Sequence, residues 1–338
     1  MSSRRAFRAS VAGAPATFAG FAAALFSVSQ GEGDGSREGG WLKGKRFWKQ
    51  TAVNVSLRPP FSAEPRTKTF FIRQQKRPPP IGTVLWPAGR VLLQWFLHRD
   101  VIRGADFVVE IGAGCGLTAI GLAAFADSEK FTIVATDSCA ASLENLRFNI
   151  AENAVGDRVN VCEWEIGSAN GGRRGDCSPD SDGTRTQRCR FPVDVKRMQH
   201  VIGADVVYHG AEGVALAETI ACVLSENPEV EFHLLLVDRF SGGAVAGLSG
   251  VAGAPQAVTS FDVDPAIRDF ETAAARLGLR VEREEIGGDV REAVQKTQTI
   301  VERGRWWAAG FWDGFVLYHV TKGSSLQEGR DQHAVEKT

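Results

Sequence analysis

Apolar positions along this chain switch repeatedly between two periods. After a break at RPPPIG, the run TVLWPAGRVLLQWFLHRD sets Val91, Leu92, Trp95 and Phe96 on one helical face. Strand-like and helix-like runs then alternate. Strands are expected over residues 105 to 111 and in FTIVATD, VNVCEWE, HVIGADVVY, VEFHLLLVDRF, RVEREEI and GFVLYHVTK. Between them, helices are expected from Leu117 to Ala126 and in AASLENLRFNIAEN, GVALAETIACVLSEN and PAIRDFETAAARLGL, with only a loop before the last strand. Strands that alternate with helices are joined by right-handed crossovers into a mostly parallel sheet. The fold class is therefore α/β, a doubly wound sheet with helices on both faces.

Composition divides the remainder. Residues 1 to 40 open with a stretch rich in Arg, Ala and Ser, lacking acids up to residue 30, and continue into the linker GEGDGSREGG. They read as a disordered leader or a transit peptide. Residues 41 to 80 form a strand-rich extension through TAVNVSLRPP and TKTFFIRQQ, and residues 81 to 322 form the main domain. Two Gly-rich, nonperiodic stretches, near 167–198 and 241–260, read as insertions, and 323–338 as a polar tail. The six cysteines are scattered without CxxC pairs, which suggests reduced thiols and no metal site. A net charge of -1 predicts no general attraction to nucleic acid or membrane, and no apolar run is long enough to span a bilayer.

The first strand of the alternating region runs into VVEIGAGCGLTAIGL, residues 108 to 122. A dinucleotide fingerprint needs Gly or Ala at the last position of GxGxxG, and here that position is Leu117. The glycines fall instead as GxGxG, Gly112, Gly114 and Gly116, with Ala113 between the first two and Glu110 two residues upstream. A pyrophosphate would be repelled by Glu110, whereas a ligand with ammonium and hydroxyl groups suits it, and S-adenosylmethionine has both and no phosphate. Asp137, at the end of the second strand, is placed to accept from ribose hydroxyls, and Trp164, at the end of the third, offers a flat face to an adenine. Each residue also has a plainer reading. Glu110 also reads as a cap on the following helix, Asp137 as the cap of the next, and Trp164 as core.

The fourth strand adds Asp205 and Tyr208 as DVVY. With TVLWPAGRVLLQWF before the glycine turn and VCEWEIG after it, the order resembles the seven-β-strand (class I) S-adenosylmethionine-dependent protein-lysine methyltransferases, the methyltransferase-like 21 or lysine methyltransferase family 16 group. The resemblance spans roughly Gly82 to Lys322 and implies a Rossmann-like sheet of seven strands with an antiparallel last strand. It implies S-adenosyl-L-methionine as cofactor, held by Trp86, Gly112, Ala113, Gly114, Asp137, Trp164 and Ala204, to which the reading of the turn adds Glu110. Asp205 and Tyr208 correspond to the DxxY motif that borders the target side chain.

The reaction so implied is in-line methyl transfer to a lysine of a protein substrate, a displacement that needs no metal. Arginine is an alternative target, because relatives associated with arginine resemble the chain equally well. A non-catalytic scaffold is disfavoured by the retention of Asp137, Trp164, Asp205 and Tyr208 together, and a nicotinamide-dependent oxidoreductase by Leu117. A nucleic-acid methyltransferase would carry a proline in the motif after strand four, and Asp205-Val206-Val207-Tyr208 has none. The remaining expectations are a monomer in the cytoplasm, with a mitochondrial or plastid address as the alternative given by the leader. The aromatic run RWWAAGFWDG, residues 305 to 314, reads as packing beneath the last strand or as a lip of the target channel.

Overall fold

The computed structural model describes residues 48–57, 66–75, 81–102, 104–167, 193–208, 210–238, 264–297 and 314–323. Two strands, β1 (Trp48–Leu57) and β2 (Arg66–Gln75), pair antiparallel as a hairpin. Alternation along them buries Val53, Val55, Phe70 and Ile72 on one face. Helix α1 (Pro87–Arg99) follows, started by a proline in its first turn and ended by Asp100 in a left-handed conformation.

The alternating region comprises β3 (Phe107–Ile111), α2 (Leu117–Phe125), β4 (Thr132–Asp137), α3 (Ala140–Glu152), β5 (Val159–Glu163), β6 (His200–Ala204), α4 (Gly210–Glu226) and β7 (Glu231–Val237). It continues through α5 (Pro265–Arg276), β8 (Leu279–Glu285), α6 (Gly288–Thr297) and β9 (Phe315–Lys322). The seven strands run in the order β5-β4-β3-β6-β7-β9-β8. Strands β3 to β7 are parallel, and β9 enters antiparallel between β7 and β8. All five residues of β3 are buried, the mark of a central strand covered on both faces. One face is closed by α1, α2, α6 and the hairpin, the other by α4 and α5.

The chain moves outward from β3 to β5, then returns to lay β6 against β3. The order reverses there, so the carboxyl ends of β3 and β6 flank the switch point.

Three local expectations are corrected. The fourth strand was read through to Tyr208, but its ladder stops at Ala204, where Asp205 adopts φ +54° and turns the chain. The first insertion was read to residue 198, yet residues 195–197 form a single 3-10 turn with Val195 and Met198 buried in the core. The stretch before β9 was read as a loop, and it contains α6, which buries Val290, Ala293 and Val294. The leader, the body of both insertions, residues 305–313 and most of the tail lie outside the described residues. Cys115, Cys139 and Cys162 are free thiols. Among the described residues no helix is long and apolar enough to cross a membrane.

The hairpin is tied to the sheet domain by a row of asparagines spaced four apart, Asn145 and Asn149 on α3 and Asn153 just beyond it. The Asn149 Oδ1 accepts the Arg73 amide at 2.8 Å and its Nδ2 donates to the Arg73 carbonyl at 3.1 Å. Asn153 repeats this exchange with the amide and carbonyl of Phe71, both at 3.0 Å. These side-chain amides thus serve the free edge of β2 as a neighbouring strand would.

Candidate active site

The site is built on the turn between β3 and α2. Gly112, Gly114 and Gly116 have φ values of +61°, +54° and +82°, a region glycine enters without a Cβ penalty. Space demands glycine as well. A Cβ on Gly112 would stand 2.8 Å from Val206 Cγ1, and one on Gly114 would stand 3.1 Å from the Gly82 carbonyl oxygen. Between them Ala113 donates its amide to the Thr136 carbonyl at 2.8 Å, locking the turn to the end of β4.

Glu110 is buried beside the turn. Its carboxylate is buried under the start of α2 and accepts the Ala119 amide at 3.0 Å. The capping arrangement considered from the sequence is the one its hydrogen bonds express. Burial pushes its pKa up to about 8, against the opposing hydrogen bonds from Thr118 and Ala119 and with a smaller push from Asp137.

Asp137 ends β4 and accepts from both sides of the site, the Gly114 amide at 3.0 Å on Oδ2 and the Cys139 amide at 2.9 Å on Oδ1. Its pKa is raised by burial, and these amides work against that rise. The Ser138 amide is a further donor to the same carboxylate. Beside it, the fully buried Ser142 Oγ lies near enough to favour the Asp137 charge but makes no hydrogen bond of acceptable geometry.

Trp164 stands next to it, its amide donating to the Asp137 carbonyl at 3.1 Å and its half-buried ring packing on the second core. Trp86 is the cap of α1, its indole N–H donating to the Ile81 carbonyl at 3.1 Å. The turn at residues 81–83 carries Gly82 directly over Gly114, and a Cβ on Gly82 would lie 2.3 Å from Ser142 Oγ and 3.3 Å from Asp137 Oδ2. Gly82 therefore belongs to the site. The G-x-x-x-W spacing to Trp86 was its available signal.

Beyond β6, half-buried Ala204 leads into Asp205, whose amide donates to the Leu235 carbonyl at 2.8 Å while its φ of +54° aims the following residues back across the switch point. A left-handed non-glycine residue is uncommon, and aspartate is among the types that tolerate it. Tyr208 is 39 % exposed. Its amide donates to Glu212 Oε2 at 3.0 Å, at the first turn of α4. The phenol pKa is raised by burial first, then by the charges of Glu212, Asp137, Asp205 and Cys139. Tyr208 is thus within electrostatic reach of Asp137 and Asp205, two of the three carboxylates named from the sequence, and of Glu212, which was not named. Glu212 sits in a helix whose apolar period gives no sign of a site.

The sheet order, the antiparallel last strand and the left-handed glycine turn define the seven-β-strand Rossmann-like fold. Residues 66–168 match the family model described as lysine methyltransferase. Over 91 residues the chain is 35% identical to the protein N-terminal and lysine N-methyltransferase EFM7 of Cryptococcus neoformans var. neoformans serotype D, in strains B-3501A and JEC21, a match covering 27% of this chain and 29% of each relative. The match thus spans less than a third of those relatives' length. Among solved structures, the chain is similar to an O-methyltransferase from Bacillus cereus in complex with SAH, at 16% identity and a TM-score of 0.38 over 72% of this chain and 84% of that one. It is also similar to the [4+2]-cyclase SpnF, at 12% identity and a TM-score of 0.42 over 72% and 86%.

Proposed function

We propose that this protein is an S-adenosylmethionine-dependent protein N-methyltransferase that acts on a lysine side chain of a protein substrate. The observation that carries the reading is the gathering of the glycine turn, Asp137, Trp164, Asp205 and Tyr208 at the carboxyl ends of adjacent strands, within a chain that matches the lysine methyltransferase family over residues 66–168. The residues present fit the cofactor. Asp137 offers a buried carboxylate to a ribose diol, the Ser142 hydroxyl lies beside it, Trp164 follows on the next strand end and Trp86 is tied to the turn at residues 81–83.

When bound, the cofactor supplies an electrophilic methyl group on a sulfonium. The chain's residues position the nucleophile. A lysine amine has a reference pKa near 10.4 and must be neutral to attack. Asp205 holds and orients the ammonium, which leaves proton release to solvent, and desolvation of the amine favours its neutral form. The Tyr208 phenol, kept protonated, offers the amine a hydroxyl and a ring face. No dedicated base is assigned.

An α-amino group is the second target to consider, because the relatives are named for N-terminal as well as lysine methylation. Its reference pKa near 8 requires less help from the site.

Asp205→Asn tests the assignment. Asparagine also tolerates the left-handed backbone, so the substitution removes charge without straining the turn. Cofactor affinity by calorimetry should be unchanged, and methyl transfer should fall about a hundredfold. A variant with the wild-type rate on the substrate that the wild type labels in extract would remove Asp205 from the target channel. Peptide mass spectrometry of the labelled substrate separates lysine, arginine and N-terminal products.

A further inference from the structure

The opposite end of the sheet carries a second cluster of chemistry-bearing side chains that methyl transfer does not use. His200 opens β6 and Glu231 opens β7, and the two are register partners. His233 follows on the same face of β7, and its partner on β9 is His319. His200 Nδ1 lies 3.2 Å from His233 Nε2, and Glu231 Oε2 lies 3.5 Å from each. These separations bracket the roughly 3.3–3.4 Å edge of a tetrahedron with 2.0–2.1 Å metal–ligand bonds. We propose that His200, Glu231 and His233 form a site for a zinc-like divalent cation, with water as the fourth ligand.

Two further observations support it. The first is the shell behind the ligands. His319 Nε2 lies 3.1 Å from Glu284 Oε2, and its Nδ1 lies 3.0 Å from His233 Nδ1. A carboxylate acceptor fixes the proton of His319 on Nε2, so its Nδ1 accepts the N–H of His233 Nδ1. The lone pair of His233 is thereby directed from Nε2 towards His200 and Glu231. A ligating histidine backed through its other nitrogen by a hydrogen-bonded carboxylate relay is the usual support of a zinc site. Glu284 is itself fixed by the Trp95 indole N–H at 3.0 Å.

The second is the gradation of burial. The His233 side chain is 5 % exposed, that of His200 14 % and that of Glu231 51 %. The triangle is anchored in the core on one side and meets solvent on the other, which gives a cation an entry path and room for a water. Two imidazoles and one carboxylate match the donor preferences of zinc better than those of magnesium or calcium. The site lies at the amino ends of β6 and β7, whereas Asp205 follows the carboxyl end of β6, so a bound cation would clamp those two strands and take no part in the transfer.

The test uses the full chain, stripped of metal, in competition with a chromophoric zinc chelator. One Zn2+ per chain is expected, and Co2+ in its place should give the intense visible bands of a tetrahedral site without a thiolate charge-transfer band. His200→Ala should weaken binding at least about a hundredfold. Glu284→Gln, which only relaxes the backing, should weaken it about tenfold. Glu231→Ala, at an exposed strand start, repeats the test if His200→Ala fails to fold. Absence of stoichiometric uptake, affinity unaffected by these substitutions, or a thiolate signature would each overturn the proposal.

Discussion

A buried carboxylate that caps a helix gives the stability of this protein a definite pH dependence. In the folded state Glu110 holds its proton up to about pH 8, whereas an unfolded glutamate loses it near 4.5. Between those values the folded state binds the extra proton, so this residue's contribution falls as pH rises, and it levels off above 8. Glu110→Gln keeps the shape and an acceptor for the Ala119 amide but removes the titration. Urea midpoints at pH 5 to 9 should show the variant near wild type at pH 5 and gaining on it as pH rises, by at most about 1.4 kcal/mol per pH unit. A gap independent of pH would mean that Glu110 is ionised in the folded protein. Asp137 is the contrasting case, because its proposed role is to hold a ligand. Asp137→Ala should leave the fold in place and cost about 1.5–3 kcal/mol of cofactor affinity for each charge-assisted hydrogen bond lost, read by calorimetry.

At the scale of elements, the asparagine row makes burial decide the size of an effect. Asn149 is fully buried and also donates to the Cys115 carbonyl at 2.9 Å, coupling the hairpin edge to the glycine turn. Asn149→Ala strands the Arg73 amide and the Cys115 carbonyl, while the Arg73 carbonyl keeps its bond from Asn145, and should cost about 2–4 kcal/mol by chemical denaturation, together with a loss of cofactor affinity. Asn153→Ala, at the more open end of the row, should cost no more than about 1 kcal/mol. Equal effects would show that the row is ordinary surface bonding. Neither role was legible in NLRFNIAEN, where the asparagines occupy the polar side of an amphipathic pattern and their partners lie over seventy residues away. The glycine turn, Asp137 and Asp205 were legible for the opposite reason, since strand ends and glycines leave local marks. Helix α6 was missed because its three buried residues, Val290, Ala293 and Val294, are spread among charges in a ten-residue segment. The fourth strand was overextended because Val206 and Val207 continue an apolar run, and nothing in that run reports the left-handed turn at Asp205.

For the whole molecule, the question is whether the amino-terminal hairpin is an ornament or part of the core. Val53, Val55, Phe70 and Ile72 join the same buried cluster as α1, α2 and α6. Full burial of four such side chains contributes about 6–12 kcal/mol as an upper estimate. That is comparable with the entire net stability of a typical domain, about 5–15 kcal/mol. Removing the hairpin would also expose the apolar faces it covers and strand the side-chain amides of Asn149 and Asn153, which now exchange hydrogen bonds with its backbone. The expected boundary at residue 81 is therefore one of sequence pattern and not of folding. A chain beginning at Trp48 should melt cooperatively near the full-length temperature, while one beginning at Ile81 should lose its cooperative transition and bind an apolar dye. If the shorter chain instead melts as the longer one does, the hairpin is dispensable for stability. The Arg73 hydrogen bonds to Asn145 and Asn149 would then be left with cofactor-loop positioning as their only consequence, measurable as weaker cofactor binding in the shortened protein.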